Sequence, residues 1–247
     1  SVPYYEDPMT AGFIDPLDPQ APADLMNLAL GFAPPRVAIA RAGAPLPMAA
    51  AEEATKAGLM TPVFVGEAAD IAAEAASLDW DISAYPLHDT TGEEEAGIKA
   101  AMLCGAGEAD VLMKGQLHTD VFMKSAVSRD AGLRTGNRFV HIFHISPPNG
   151  GKPILISDAA VNVAPDMKTR QSSVQEVVKL LHKLGNARPK VAMLSATESA
   201  IPSVPSSMEG AELAEWARAN VADADFSGPL ALDLIVSPKA VATKKLT

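Results

Sequence analysis

The chain has 247 residues, 48% of them hydrophobic, which is enough for one large domain or two ordinary ones with a buried core, so disorder is not expected. Its formal net charge of −10 argues against nucleic-acid binding, because affinity for a phosphate backbone comes from clustered lysine and arginine in excess. A single cysteine, Cys104, excludes an internal disulfide, and no apolar run reaches membrane-spanning length, so we expect a cytoplasmic protein without a membrane contact.

The first 35 residues differ in composition from the rest of the chain. They are rich in proline and in acidic residues, and only 24–30 has a helical pattern. Proline-rich segments of this kind disfavour regular packed elements. Residues 1–35 are therefore predicted to form an N-terminal arm or a linker.

From Arg36 to Val127, short apolar runs alternate with stretches of helical length. The predicted strands are 36–42, 61–66, 85–88 and 110–114, and the predicted helices are 46–58, 67–78, 93–103 and 119–127. Strands that alternate with helices of this length indicate βαβ units. The pattern predicts the α/β fold class, with a mainly parallel, doubly wound sheet.

A second pattern begins after the turn around Gly136. Two strands, 138–146 and 152–158, flank a Pro-Pro-Asn-Gly-Gly loop, which is typical of a β-hairpin. The remaining predicted elements are helix 169–184, strand 190–196, helix 208–221 and strand 231–236. We therefore predict a domain boundary near Gly136, with one α/β domain over 36–136 and a second over 137–247.

The segment ADVLMKGQLHT, residues 109–119, predicts a strand that ends at Lys114 and Gly115 and leads through a polar turn into a helix. In open α/β sheets ligands bind at this edge, because helix amino ends present free N–H donors there. Further cations follow at Lys124, Arg129, Arg134 and Arg138. The pattern favours a phosphorylated ligand, and the alternative is an ordinary surface lysine beside a glycine turn.

The histidines offer one candidate site residue and no metal site. His118 lies in the turn after Lys114, where it could orient a ligand or transfer a proton, or could simply begin the helix. His141 and His144 are three residues apart on a predicted strand, so their side chains point to opposite faces. No cluster has zinc spacing, so we predict no metal, and Cys104 is expected to be a buried structural thiol.

Polar residues also follow the strands of the second half. Asp158 is the last residue of the second predicted hairpin strand, and Asn162 follows four residues later. Further polar residues stand in comparable places at Pro165-Asp166, Ser195, Thr197 and Glu198. These side chains could face a cleft between the domains, but aspartate and asparagine are also ordinary turn residues.

Several consecutive segments together resemble the phosphate acetyl- and butyryltransferases. The segments, in chain order, are ADVLMKG, GLRTGNRFVH, KPILISDAAVNVAPD, PKVAMLSATES and GPLALD. The resemblance runs from about Arg36 to the last residue and is closer to the butyryltransferase branch. A similar module is fused behind an enoyl-CoA hydratase domain in some bacterial proteins, so the N-terminal arm could be such a linker.

The resemblance implies reversible transfer of a short acyl group between coenzyme A and inorganic phosphate. The coenzyme A thiolate attacks the acyl phosphate directly, so acyl-CoA and phosphate are substrates, and no tightly bound cofactor is expected. The family's fold implies two α/β domains with a cleft between them, similar to isocitrate and isopropylmalate dehydrogenases. It also implies a homodimer formed through the second domain.

The resemblance also assigns roles to residues of this chain. It places Lys114, Gly115, His118 and Thr119 along the cleft, and Lys124, with a one-residue gap, near an arginine that contacts a coenzyme A phosphate. Asp158, Asn162 and Ser195 are further cleft candidates for binding.

The family's catalytic Ser-Arg-Ala-Asp motif does not occur in these 247 residues. The segment that carries it is expected beyond Thr247, which leaves His118 as the catalytic candidate within the chain. Because losing such groups costs roughly 10² to 10⁴ in rate each, we expect a polypeptide that ends at Thr247 to be nearly inactive. Two alternatives follow: a non-catalytic coenzyme A binding or assembly module, and a metal-dependent hydroxyacid dehydrogenase on the same architecture.

Overall fold

The computed structural model describes residues 21–147 and 150–244, and the chain divides into two units, 1–33 and 34–247. In the first unit, helix α1 (Ala23–Leu30) begins after Pro22 and ends at Gly31, and none of its residues is buried. This confirms the short helix predicted within the N-terminal arm. The arm's residues 1–20 lie outside the described residues.

The second unit begins with a parallel four-stranded sheet. Its strands are β1 (Arg36–Ala40), β2 (Thr61–Gly66), β3 (Leu87–Asp89) and β4 (Val111–Lys114), arranged in space as β3-β2-β1-β4. The helices that connect and follow them are α2 (Pro45–Lys56), α3 (Ala68–Ser77), α4 (Gly92–Gly105) and α5 (Thr119–Ala126). All three strand pairings are parallel, which confirms the predicted α/β class and parallel sheet.

Alternation along β1 divides its side chains between two cores. Val37 and Ile39 pack with α2 and α3 on one face, whereas Ala38 and Ala40 pack with α4 on the other. Because helices cover both faces, the strand is almost continuously apolar. Cys104, a residue of α4, packs against the core that contains Ala38 and Ala40. Burial raises the pKa of its thiol, which agrees with a structural thiol.

The strand order places a topological switch between β1 and β4. From β1 the chain moves outward to β2 and β3, and then crosses through α4 to β4 on the other side of β1. The connections that leave β1 and β4 therefore diverge at their carboxyl ends, and such a divergence opens a crevice. This is the edge of the sheet where the sequence predicts a ligand.

The rest of the second unit contains two smaller sheets. β5 (Ile142–Ile145) and β6 (Ile154–Ser157) form the predicted antiparallel hairpin, and β7 (Lys190–Leu194) pairs in parallel with β8 (Asp225–Leu230). The helices are α6 (Met167–Lys183), α7 (Pro205–Asn220), α8 (Leu232–Val236) and α9 (Pro238–Thr243). Val178, Met193 and Phe226 belong to the core shared by α6, α7, β7 and β8. No helix in 21–147 or 150–244 is both long and apolar enough to cross a membrane.

The strand predicted over 231–236 is wrong. Leu232–Val236 is the short helix α8, and the strand lies immediately before it, at Asp225–Leu230. A short apolar run does not by itself distinguish a strand from a helix. Gly228 and Pro229 concealed the true strand, because both residue types are unfavourable in strand interiors, and here they occupy an edge strand with a register shift.

Candidate functional site

A cavity of about 200 Å³ lies at the carboxyl edge of the parallel sheet. It is lined by Glu93, Lys114, Gly115, Gln116, Leu117 and His118. Lys114 is the last residue of β4, the next four residues lead into α5, and Glu93 comes from the first turn of α4. The segment singled out in the sequence therefore borders a cavity beside the topological switch.

Gly115 is required by the packing of two strand ends. A Cβ atom at this position would overlap the carbonyl oxygens of Ala40 and Arg41, at the end of β1. The amide of Gly115 donates to Ala40 O (2.9 Å), and the amide of Gln116 donates to Arg41 O (2.8 Å). These N–H groups are already used within the fold, so the turn offers a ligand fewer backbone donors than its sequence suggests.

Four charged side chains form a connected group next to this cavity, and we call Arg41, Glu67, Glu93 and His118 the edge cluster. The ring Nδ1 of His118 lies 3.0 and 2.9 Å from the two carboxylate oxygens of Glu93, and its backbone amide donates to Glu93 Oε2 (3.1 Å). Arg41 Nη1 donates to Glu93 Oε1 (3.4 Å). Arg41 also binds both oxygens of Glu67, at 3.3 and 3.2 Å.

The edge cluster shifts the ionisation of its own members. The hydrogen bond from the His118 ring lowers the pKa of Glu93, and the same bond, with the charge of Glu93, raises the pKa of His118. The pKa of Glu67 is lowered mainly by a hydrogen bond from the Gly92 amide (2.9 Å), with Arg41 adding to it. Glu93 is therefore an ionised acceptor, and His118 keeps its positive charge to higher pH than an isolated histidine.

The predicted binding residues of the first half are only partly brought together. Lys114 and His118 line the cavity, and Thr119 comes next as the first residue of α5. Lys124 is exposed in the last turn of α5 and is not among the cavity residues. Of the predicted cationic stretch, Lys114 therefore lines this cavity, and His118 adds a second side chain that can carry positive charge.

A second cavity, of about 480 Å³, lies beside the hairpin and is mainly apolar. Residues of β6, α6, β7 and α8 line it, and its polar lining includes Asp158, Asn162 and Arg170. Arg170 donates from Nε to Pro165 O (3.1 Å) and pairs with Glu209 (2.9 Å). The two predicted residues Asp158 and Asn162 thus border a cavity, but not the one that contains Lys114.

Asp158 and Asn162 hold their own turn together. Asp158 accepts from the amides of Ala160 (3.3 Å), Val161 (3.2 Å) and Asn162 (3.2 Å), and also from the Asn162 side chain. Asn162 Nδ2 donates to Phe139 O (2.9 Å) as well. Burial of the Asp158 carboxyl opposes ionisation, but these hydrogen bonds outweigh it, so its pKa is lowered.

The remaining candidates of the second half make contacts typical of structural residues. Ser195 is buried, its hydroxyl lies 3.1 Å from that of Ser206, and it lines neither cavity. Asp166 caps α6 by accepting from the amide of Thr169 (2.8 Å), and Arg138 lies 3.9 Å from its carboxylate. Among the residues that the structure describes, no three His, Cys, Asp or Glu side chains are grouped to hold a metal ion.

Sequence reasoning missed Arg41 and Glu93. Arg41 directly follows β1, as Lys114 ends β4, so the same strand-end argument applied to β1 would have found it. Glu93 begins the run Glu93-Glu94-Glu95 in the first turn of α4, where acidic residues are common because they interact favourably with the helix dipole. Nothing in the sequence distinguishes Glu93 from its two neighbours.

A family model and curated relatives match this chain in sequence. The family model described as phosphate acetyl/butaryl transferase matches residues 91–247. A phosphate acetyltransferase from Rhizobium meliloti is 35% identical over 193 residues, covering 78% of this chain and 61% of the relative. A phosphate butyryltransferase from Clostridium acetobutylicum is 30% identical over 213 residues, covering 86% of this chain and 71% of the relative.

Solved structures agree with these sequence relatives. A branched-chain phosphotransacylase from Enterococcus faecalis superimposes with a TM-score of 0.72 at 27% identity, covering 86% of this chain and 74% of the other. A phosphotransacetylase from Staphylococcus aureus superimposes with a TM-score of 0.69 at 22% identity, covering 91% of this chain and 77% of the other, and supports the fold. The chain spans about 61% of the length of the Rhizobium relative.

Proposed function

The chain belongs to the phosphate acetyl/butyryl transferase family, and we propose that it transfers a short acyl group between coenzyme A and inorganic phosphate. The observation that carries this proposal is the family match over 91–247, which includes the residues of both cavities. The position of the first cavity at a topological switch also supports it, because open α/β sheets bind ligands there.

In the proposed reaction, the thiolate sulfur of coenzyme A attacks the carbonyl carbon of an acyl phosphate. A C–S bond forms, the C–O bond to phosphate breaks, and phosphate leaves with the electron pair; the reverse reaction consumes acyl-CoA and phosphate. Both substrates carry phosphate groups, so the site must hold anions in a chain that is acidic overall. Lys114 and His118 supply the positive charge at the first cavity, and Thr119 begins the helix that follows.

We extend the proposal to the architecture and assembly. The proposed protein has two α/β domains, 36–136 and 137–247, with a substrate cleft between them. This is the overall arrangement of isocitrate and isopropylmalate dehydrogenases. We also propose a homodimer formed through the second domain. Lys114, Gly115, His118, Thr119 and Lys124 would face the cleft from the first domain. Asp158, Asn162 and Ser195 are the corresponding candidates of the second domain, and a cytoplasmic location remains a prediction.

A thiol-release assay tests this function. The natural gene product, at its natural length, is incubated with acetyl-CoA or butyryl-CoA, with and without inorganic phosphate, and free thiol is measured. We expect turnover that requires phosphate with at least one donor, and a strong loss of turnover in Lys114→Gln. Lys179→Gln, which removes an exposed charge from α6, is the matched control. No phosphate-dependent turnover with either donor would contradict the proposal.

A further inference from the structure

The ring of His118 is held on one side and open on the other. Nδ1 lies within hydrogen-bond distance of both Glu93 carboxylate oxygens, at 3.0 and 2.9 Å. Nε2, at the opposite side of the ring, has no hydrogen-bond partner in 21–147 or 150–244, and the side chain is 79% exposed. His118 lines the cavity together with Lys114. The ring therefore has a fixed inner nitrogen and an accessible outer one beside a lysine.

Glu93 is itself fixed in place. Its carboxylate accepts from Arg41 Nη1 (3.4 Å) and from the His118 amide (3.1 Å), and Arg41 is anchored in turn by Glu67. The Glu93 side chain is only 24% exposed, in contrast to that of His118. A carboxylate held by two donors besides the ring restricts the orientation of the ring that it contacts.

We propose that Glu93 is a positioning residue, which holds His118 as an imidazolium whose Nε2–H donates to a phosphate oxygen of the ligand beside Lys114. This inference rests on the proposed function, which supplies the identity of the substrates. It requires that a phosphate group binds in this cavity, and that group belongs either to coenzyme A or to the inorganic phosphate that reacts. Arg41 acts one step further away, because it orients Glu93.

The chemistry of the imidazole ring explains why the carboxylate matters. An ionised carboxylate can only accept, so Nδ1 of His118 must carry a hydrogen. In the neutral ring Nε2 would then present a lone pair to the phosphate oxygen, whereas in the imidazolium both nitrogens donate. Glu93 favours the imidazolium, as the raised pKa of His118 indicates. The other charged groups near the ring are Lys114 of β4, which opposes protonation, and Asp120 of α5, which favours it.

The decisive comparison is between Glu93→Gln and Glu94→Gln. Both variants remove one carboxylate from the same turn of α4, but Glu94 is exposed, and its side chain makes no hydrogen bond within the described ranges. In ¹⁵N NMR spectra of the His118 ring, we expect its pKa to fall in Glu93→Gln and to stay unchanged in Glu94→Gln. Equal ring titration in the two variants would overturn the proposal.

Binding is measured by calorimetry with inorganic phosphate, coenzyme A and dephospho-coenzyme A. At about pH 7, just above the ordinary histidine pKa, we expect Glu93→Gln to weaken binding of the phosphate-bearing ligand about threefold, and at about pH 5 we expect the difference to become small, because the ring is then protonated in both proteins. Glu94→Gln should bind like the parent protein. A loss seen with coenzyme A but not with its dephospho form assigns the ring to the 3′-phosphate, and a loss with inorganic phosphate assigns it to the reacting phosphate.

A second variant covers the case in which Glu93→Gln does not fold. His118→Gln replaces a side chain that is mostly exposed, and it should abolish the same pH dependence of phosphate binding. Affinities for both inorganic phosphate and coenzyme A that are unchanged in His118→Gln, or binding of neither ligand by the parent protein, would overturn the inference. Phosphate binding that depends on Glu93 in a protein without acyl transfer would support the inference and contradict the proposed function.

Discussion

At the carboxyl edge of the parallel sheet, charged side chains from different elements bind one another, whereas beside the hairpin Asp158 and Asn162 bind mainly within their own turn, with one further bond from Asn162 to Phe139 O. Arg41, Glu93 and His118 come from the end of β1, the start of α4 and the start of α5. Asp158 and Asn162 belong to one short segment. Contacts between distant segments are fixed by the packed sheet, so the first region can hold a site in one geometry, while the second depends on local structure.

The two regions also differ in how they cover apolar surface. Helices lie on both faces of the four-stranded sheet, and its strand β2 is buried along almost its whole length. The hairpin exposes about half of the surface of four apolar residues, for example 50% of Phe143 and 47% of Ile145. Exposed apolar surface on this scale is typical of a face that contacts another surface.

The largest expected effect tests this difference in packing. Phe64→Ala should lower the free energy of unfolding by about 4 kcal/mol, because the side chain is fully buried and the cavity left behind cannot collapse. Phe143→Ala, at a half-exposed position of the hairpin, should cost less than about 1 kcal/mol. Urea denaturation gives both values, and similar losses would show that the two regions are packed equally well.

The next effect concerns the close contact beneath the first cavity. Gly115→Ala should destabilise the protein by about 2 to 3 kcal/mol, because the new Cβ meets the backbone of Ala40 and Arg41, which cannot move aside cheaply. Gly107→Ala is the control: its φ of +75° is strained for alanine, but nothing lies within 4 Å, so about 1 kcal/mol is expected. A loss at Gly115 no greater than that at Gly107 would refute the packing role.

The sequence predicts the parallel sheet well because its strands are short apolar runs that alternate with stretches of helical length. The runs at 36–40 and 61–66 are enough to define β1 and β2, and the strand-end argument leads to Lys114 and His118. The sequence does not predict strand β8 at its true position, because Gly228 and Pro229 have low strand preference and do not mark this segment as a strand. Hydrophobic patterning therefore predicts where the helices and strands lie.

The partners of His118 could not be predicted in the same way. Glu93 is separated from His118 by 25 residues and from Arg41 by 52, and the three meet only because the strand order brings their segments to one edge. Glu93, Glu94 and Glu95 are equivalent as sequence and differ only in their direction around the helix. Predicting a polar contact between distant segments requires the strand order and the orientation of each helix, which cannot be read from the composition.

A smaller effect tests the local character of the second region. Asp158→Asn should lower the free energy of unfolding by about 1 to 2 kcal/mol, because one acceptor oxygen becomes an NH₂ group that faces either the amides of Ala160 and Val161 or the donors of Asn162. Asp130→Asn is the control, since Asp130 is exposed and makes no hydrogen bond in the part of the chain that the structure describes. If Asp158→Asn were as stable as the control, these bonds would not hold the turn.

The smallest effect concerns the opposite edge of the parallel sheet, where a charged pair joins the beginnings of β1 and β4. Arg36 binds both carboxylate oxygens of Asp110, at 3.0 Å from Nε and 2.9 Å from Nη2, and these bonds lower the pKa of Asp110 from 3.8 to about 2. Because the folded-state pKa is lowered, the pair stabilises the fold above the ordinary pKa and loses this contribution as the pH falls towards the folded value.

We therefore expect the urea midpoint of Asp110→Asn to lie slightly below that of the parent protein near neutral pH, and the gap to close as the pH approaches about 2. The effect should be small and sensitive to salt, because both side chains are nearly half exposed. Asp130→Asn again serves as the control and should show no such gap. A gap that persisted at low pH would mean that Asp110 stabilises this edge by shape or packing, and not by its charge.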